Sequence, residues 1–288
     1  MGKFKPLNEP YVPADGEFDL REGRTLEATC YQPLNRVLLE ISYDGSEYGG
    51  WQIQPNRLAV QEDLQNKLTK LYGGQFIHLI GASRTDAGVH SLGNVCVFDT
   101  NTRMPAEKIS YALNTRLPED IVVQHSCEVA ADFHPRAGKS SKIYEYRVLN
   151  RAFRDPTRRL NTYFYHYDLD VEAMQKAASY LEGEHDFKSF CSVHAQVETT
   201  VRTIYQCTVS QKEDEIHIRV MGNGFLYNMV RIIAGTLIEV GAGKRKPEAI
   251  LTMLEAVDRQ TAGPTAPAHG LTMIGIEYKE ASCYNVGS

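Results

Sequence analysis

An α+β fold is what this sequence predicts: two ferredoxin-like halves sharing one mixed, mainly antiparallel sheet, with a cleft at its centre. Three observations lead there. The first half of the core alternates short β-type runs with helical periodicity in the order β-α-β-β-α-β. The second half repeats that rhythm, although no close residue-level repeat accompanies it. The chain has 288 residues, 42% hydrophobic and 23% charged, which suits two ordinary units of a soluble globular protein. The expected division is an extension over 1–35, a first half over 36–137, a second half over 138–280 and a tail over 281–288.

Each element has its own signal. Residues 1–31 are polar, weakly periodic and punctuated by Pro6, Pro10 and Pro13, which suits an extension outside the core. The run from Arg36 to Tyr43, with Val37, Leu38, Leu39 and Ile41, reads as a strand. A glycine-rich stretch holding the lone tryptophan, Trp51, follows it. Val60, Leu64, Leu68 and Leu71 recur at helical spacing and mark a core-facing stripe. Phe76–Ile80 and Gly93–Phe98 read as strands, and Pro105 opens a helix whose Ile109, Ala112 and Leu113 face inward. Ile121 starts the strand that closes this half.

In the second half Lys142–Leu149 reads as a strand, and Asp170 caps a helix that carries Val171, Met174, Ala178 and Leu181 and closes at Gly183. Strands over Val201–Ser210 and Ile216–Met221 come next. Helices over Phe225–Val240 and Pro247–Asp258 follow, then a loop from Gly263 to Gly270 and a last strand, Leu271–Tyr278.

The charge and cysteine patterns narrow the function classes. No apolar run approaches the length of a membrane span and no leader pattern opens the chain, so a cytoplasmic protein without membrane contact is expected. Six cysteines are scattered, with no Cys-x-x-Cys pair and no histidines at zinc spacing. Free structural thiols and no metal site are therefore expected. The net charge of −5 is not that of a typical nucleic-acid binder, but its distribution is uneven. Between Arg136 and Arg159 eight basic residues, Arg154, Arg158 and Arg159 among them, face only Glu145 and Asp155, a local charge of +6. Tyr144, Tyr146 and Phe153 are interleaved with them. Cations for phosphates and aromatic faces for bases are what RNA recognition requires; a solvated loop face is the plainer alternative.

The stretch around which the rest is arranged is Gly81-Ala82-Ser83-Arg84-Thr85-Asp86-Ala87-Gly88-Val89-His90, set between two strand-like runs. In extended backbone Arg84 and Asp86 project from one face. Gly81 and Gly88 allow a sharp turn or the close approach of a ligand. Taken alone, an Arg-x-Asp at a strand end is equally a surface ion pair beside an Asx turn. Arg231 lies in an apolar helical stripe, where an unpaired cation is costly, so a carboxylate partner is expected for it on structural grounds alone.

The ten-residue string closely resembles the signature of the tRNA pseudouridine synthase A family. Four further stretches resemble that family in its order, from Arg36 to Tyr278: Tyr43-Asp44-Gly45 with Gly50-Trp51-Gln52-Ile53-Gln54, Lys142-Ile143-Tyr144-Glu145-Tyr146, Gly224-Phe225-Leu226-Tyr227-Asn228-Met229-Val230-Arg231, and Ala266-Pro267-Ala268-His269-Gly270-Leu271. The resemblance implies that Asp86 is the catalytic carboxylate, that Arg231 pairs with it, that Tyr144 contacts the target base and that Leu271 lines the uracil pocket. It implies isomerisation of uridine to pseudouridine at positions 38 to 40 of the tRNA anticodon arm, by a homodimer and without any cofactor. Asp86 must then be ionised, which Arg231 favours. Arg84 fills the space left by the extruded base or holds a phosphate, and Arg154, Arg158 and Arg159 hold phosphates. Two other classes fit some of these residues. An RNA base glycosylase would also use a lone aspartate in a base-flipping pocket, and a catalytically silent RNA-binding protein would keep the basic, aromatic segment.

Overall fold

The computed structural model describes residues 35–136, 140–192 and 197–278. The extension and the tail lie outside this description, apart from Asn35, which already belongs to the first strand. In the first half β1 (Asn35–Tyr43), α1 (Val60–Leu71), β2 (Ile80–Gly81), β3 (His90–Thr100), α2 (Ala106–Asn114) and β4 (Ile121–Val129) follow one another. The second half consists of β5 (Ser140–Asn150), β6 (Tyr163–Tyr165), α3 (Val171–Ser179), β7 (Gly183–Asp186), β8 (Val201–Lys212), β9 (Glu215–Gly222), α4 (Met229–Gly241), α5 (Ala249–Ala256) and β10 (Leu271–Tyr278).

One sheet holds all ten strands in the order β4-β1-β3-β10-β5-β9-β8-β7, with β2 on β3 and β6 on β5. Every pairing is antiparallel except β3–β10 and β5–β6. The order β4-β1-β3-β2 is the 4-1-3-2 arrangement of a β-α-β-β-α-β unit, and β10-β5-β9-β8 repeats it. The two halves meet where β3 runs parallel to β10, with Thr272 opposite His90 and Met273 opposite Ser91. That seam brings the segment leading into β3 beside the segment leading into β10.

Two apolar clusters support the halves. In the first, Val37, Leu39 and Ile41 of β1 pack with Val60, Leu64 and Leu68 of α1 and Ile109 and Leu113 of α2. In the second, Tyr146 and Val148 of β5 and Ile216, Ile218 and Val220 of β9 pack with α3 and the nearly wholly buried α4. Burial of this kind contributes about 25 cal/mol per Å² of apolar surface, which makes these clusters the main stabilising term.

The differences from expectation have local causes. Phe76–Leu79 is not a strand, and pairing begins only at Ile80. Ile77 and Leu79 are buried all the same, with their amides donating to side chains of α1, Ile77 to Thr69 Oγ1 (3.3 Å) and Leu79 to Gln65 Oε1 (3.3 Å). Helix α4 starts at Met229 and not at Phe225, because Asn228 takes a left-handed conformation (φ 61°) that asparagine tolerates. Asp170 caps α3 as expected, its side chain accepting from the Ala173 amide (2.9 Å), but the helix ends at Ser179 and Gly183 opens β7. Cys96, Cys191 and Cys207 are free and buried, whereas Cys127 is disulfide-bonded, contrary to the expectation of free thiols.

Candidate active site

The loop from Gly81 to Val89 is held from below by its small residues. Extended backbone alternates its side chains, so Ser83 and Thr85 are buried while Arg84 is exposed and Asp86 partly so. The buried hydroxyls each find a tyrosine: Thr85 Oγ1 shares a hydrogen bond of 2.8 Å with Tyr43, and Ser83 Oγ one of 2.9 Å with Tyr144. Asn94 donates to the Ser83 carbonyl (3.2 Å) and to the Tyr43 hydroxyl (3.3 Å). The Trp51 amide donates to the Thr85 carbonyl (3.1 Å), and the indole lies so close to Gly81 that any Cβ there would overlap it. Gly81 therefore serves packing and not ligand approach. Gly88 supplies the positive φ (79°) of the turn after Asp86, closed by the Val89 amide donating to the Asp86 carbonyl (3.1 Å).

The opposing wall comes from the second half. Arg231, on the first turn of α4, places one terminal nitrogen 3.3 Å from Asp86 Oδ2 and donates from the same nitrogen to Asn228 Oδ1 (2.8 Å). Its Nε donates to the Ala266 carbonyl (2.8 Å), while the Ala266 amide donates back to the Arg231 carbonyl (3.1 Å). One arginine thus fixes the carboxylate and the loop before β10 together. That loop is further pinned by Tyr146, whose hydroxyl donates to the Pro267 carbonyl (2.9 Å) and whose ring leaves no room for a side chain at Gly270. Leu271 enters β10 from there and faces the cleft.

The cleft between these walls has a volume of about 920 Å³. It collects Arg84, Asp86, Tyr144, Arg231 and Leu271, so five of the residues singled out from sequence meet in one place. Phe225 stands edge-on to Tyr144, with ring centroids 5.3 Å apart, because the helix begins four residues later and leaves it free to project. Arg57, Arg136 and Lys142 also line the cleft, and Asp86 is the one carboxylate among the described lining residues. Burial pushes the Asp86 carboxyl above its ordinary value, with Arg231 opposing that rise through charge and hydrogen bond. The expectation that Arg231 favours the ionised form holds in direction, yet desolvation outweighs it. Burial also pushes the Tyr144 hydroxyl well up, and its Ser83 bond opposes the rise.

Arg154, Arg158 and Arg159 do not line the cleft. Arg158 lies among three carboxylates, at 2.9 Å from Asp155, 2.7 Å from Asp214 and 3.0 Å from Glu215. Arg151 pairs with Asp214 (3.0 Å) and Arg147 with Glu215 (2.6 Å). Much of the local charge counted from sequence is consumed by acids some 60 positions away, a pairing that linear inspection does not reveal. Arg154 stacks over Phe164, 4.8 Å from its centroid, and Arg159 donates to the Pro156 carbonyl (3.0 Å).

Two residues passed over in the sequence have defined places. The His90 ring accepts from the Gly45 amide at Nδ1 (3.2 Å), lies 3.1 Å from Asp44 there, and donates from Nε2 to the Leu160 carbonyl (2.7 Å). It ties the loops at Gly45 and Leu160 to the start of β3 and is not among the cleft-lining residues. Arg57 has a buried Nε with no hydrogen-bond partner among the described residues. No group of three or more His, Cys, Asp or Glu placed to hold a metal occurs among the described residues, and no described helix is long and apolar enough to cross a membrane.

The tRNA pseudouridine synthase family profile matches residues 41–136 and 177–279, leaving Tyr144 and the Arg154–Arg159 loop between the two spans. The tRNA pseudouridine synthase A of Thermoanaerobacter sp. (strain X514) is 48% identical over 245 residues, which cover 85% of this chain and 100% of that protein. That of Halalkalibacterium halodurans is 48% identical over 238 residues, covering 83% of this chain and 90% of that protein. Among solved structures, the archaeal box H/ACA sRNP Nop10-Cbf5 complex aligns with 86% of this chain and 49% of its own, at 10% identity and a TM-score of 0.31, too distant a likeness to argue from. With the profile covering both halves and relatives this similar over most of its length, the chain belongs to the tRNA pseudouridine synthase family.

Proposed function

We propose that this chain isomerises uridine to pseudouridine within tRNA, at positions 38 to 40 of the anticodon arm, with Asp86 as the reacting carboxylate. The observation that carries the reading is the Asp86 carboxylate held 3.3 Å from Arg231 in a cleft whose other charged lining residues are all cations. In the reaction the N1–C1′ bond breaks, the uracil turns in place, and C5 bonds to C1′. The C5 hydrogen leaves as a proton and N1 gains one, so the atoms balance with no redox step and no cofactor. A carboxylate suits this chemistry because it stabilises or captures an electron-poor C1′. The uridine must leave its stack, at an unstacking cost of a few kcal/mol.

Each residue has a part in this scheme. Arg231 keeps Asp86 oriented and favours its charge. Tyr144 meets the freed uracil and shapes loss of the C5 proton, and Leu271 closes the pocket beneath the base. Arg84, exposed on the same face as Asp86, takes the vacated place in the RNA stack or holds a phosphate. Arg154 and Arg159 contribute phosphate contacts outside the cleft, while Arg158, tied to three carboxylates, holds the shape of their loop. The two halves, 36–137 and 138–280, supply one wall each. A homodimer acting in the cytoplasm joins two such faces along one tRNA.

The test is incubation of the protein with tRNA carrying C5-tritiated uridine. Tritium release with base and ribose still joined is the expected result. Release of free uracil would mean a glycosylase, and no release with tight binding a silent RNA-binding protein. Mass measurement in solution, with and without tRNA, tests the dimer.

A further inference from the structure

Three cations near the starts of β5 and β8 have no carboxylate partner among the described residues: Arg136 just before β5, Lys142 on it and Arg202 on β8, with Gly222 of the intervening β9 paired to both Lys142 and Ile204. Lys142, two residues before Tyr144 on β5, reaches across to donate to the Ala82 carbonyl (3.2 Å) at the base of the Asp86 loop. Burial, with the neighbouring charges of Arg136 and Arg202, pushes its ammonium down to about 8. Arg202, the second residue of β8, donates only to the Thr199 (3.0 Å) and Val201 (2.6 Å) carbonyls, and lies beside the backbone of Gly224. Burial lowers it from its ordinary value as well. Arg136 lines the cleft with Lys142. The two undescribed internal segments, 137–139 and 193–196, contain no acidic residue that could answer these charges. The cleft carboxylate, Asp86, is already engaged by Arg231.

Like charges gathered and partly desolvated without a counter-ion are unfavourable, and each raises the cost of the others. The arrangement becomes favourable when an anion with several acceptor oxygens sits among them. Arginine forks and a lysine ammonium are what a phosphodiester requires. The sequence places Lys142 and Tyr144 on one face of β5, so a group bound at the first lies beside a base held at the second.

We propose that Arg136, Lys142 and Arg202 form a phosphate subsite that takes a backbone phosphate of the RNA strand whose uridine occupies the cleft. This rests on the reading of the cleft as a uridine-isomerising site and names where the strand beside that uridine is held. It differs from Arg151 and Arg158, whose charges are matched internally by Asp155, Asp214 and Glu215.

The experiment is a salt titration of the affinity for a tRNA anticodon stem-loop, read by fluorescence anisotropy. It compares the full-length protein with Lys142→Met, Arg136→Met, Arg202→Met, Lys142→Arg and the remote surface variant Arg116→Met. Each of the first three is expected to flatten the slope of log Kd against log salt by about 0.7 to 0.9, the loss of one phosphate contact. Lys142→Arg and Arg116→Met should keep the parent slope. Circular dichroism melts establish that each variant is folded, and a folding defect alone lowers the active fraction without changing the slope. Parent slopes in all three Met variants, from a protein that still releases tritium from tRNA, overturn the subsite and leave the isomerase reading standing. A parent protein that releases no tritium overturns that reading instead.

Discussion

Replacing Arg231 with leucine removes the group that opposes the desolvation of Asp86, and the consequence is a displaced pH profile. At 3.3 Å, unit charges in surroundings of effective dielectric near 20 attract by about 5 kcal/mol, before either charge's desolvation is subtracted. Both side chains are mostly buried, at 17% and 21% exposure, so water does little to replace the lost partner. A cation at this distance lowers a carboxylate pKa by about one to three pH units. The Asp86 carboxyl is already above its ordinary value through burial, so losing Arg231 moves it further in the same direction. The assay is tritium release against pH for the parent, Arg231→Leu and Arg231→Lys. The acid limb of Arg231→Leu should lie at least about one unit above the parent's, with activity below the limb reduced about tenfold for each unit moved. Arg231→Lys keeps the charge but not the Nε bond to Ala266, and should fall between the two. Superimposed acid limbs in the parent and Arg231→Leu would refute the pairing as a determinant of the Asp86 charge.

Further outcomes follow from the same contacts. Asp86→Asn should abolish tritium release with tRNA affinity largely kept. Because folding raises the Asp86 pKa, the protonated form favours the folded state: the parent's stability relative to Asp86→Asn should be greatest below the unfolded value near 3.8 and decline as pH rises through the folded one, as urea titrations across pH 3 to 7 would record. The opposite slope would mean that Arg231 and not desolvation dominates. Tyr144→Phe removes the bond to Ser83 but keeps the ring beside Phe225, so kcat should drop more than KM rises in steady-state kinetics. Trp51→Ala empties a site with 2% exposure beneath Gly81 and should destabilise the fold by roughly 3–5 kcal/mol in denaturant unfolding. Arg158→Ala should lower the melting temperature while leaving the salt slope of tRNA binding unchanged, since its charge is spent on Asp155, Asp214 and Glu215.

By itself the sequence determined the elements whose pattern is local. Val60, Leu64, Leu68 and Leu71 carry a helical period, and α1 spans Val60–Leu71. Leu271–Tyr278 reads as a strand and is β10 residue for residue. Alternation alone set Arg84 and Asp86 on one face, and an arginine in an apolar helix announced a need for a carboxylate. What only the tertiary structure decided depends on partners far apart in the chain. Arg231 finds Asp86 across 145 positions because β10 inserts between β3 and β5 and draws the two halves' loops together. The same folding sets Arg158 against Asp214, 56 positions away, and so removes from the Arg136–Arg159 segment much of the free charge its composition suggested. It sets Arg136 and Lys142 in the cleft lining instead, with Arg202 nearby on β8 beyond β9. Charge composition is a property of neighbours in sequence, whereas electrostatic pairing is a property of neighbours in space, and a sheet whose adjacent strands are not consecutive separates the two.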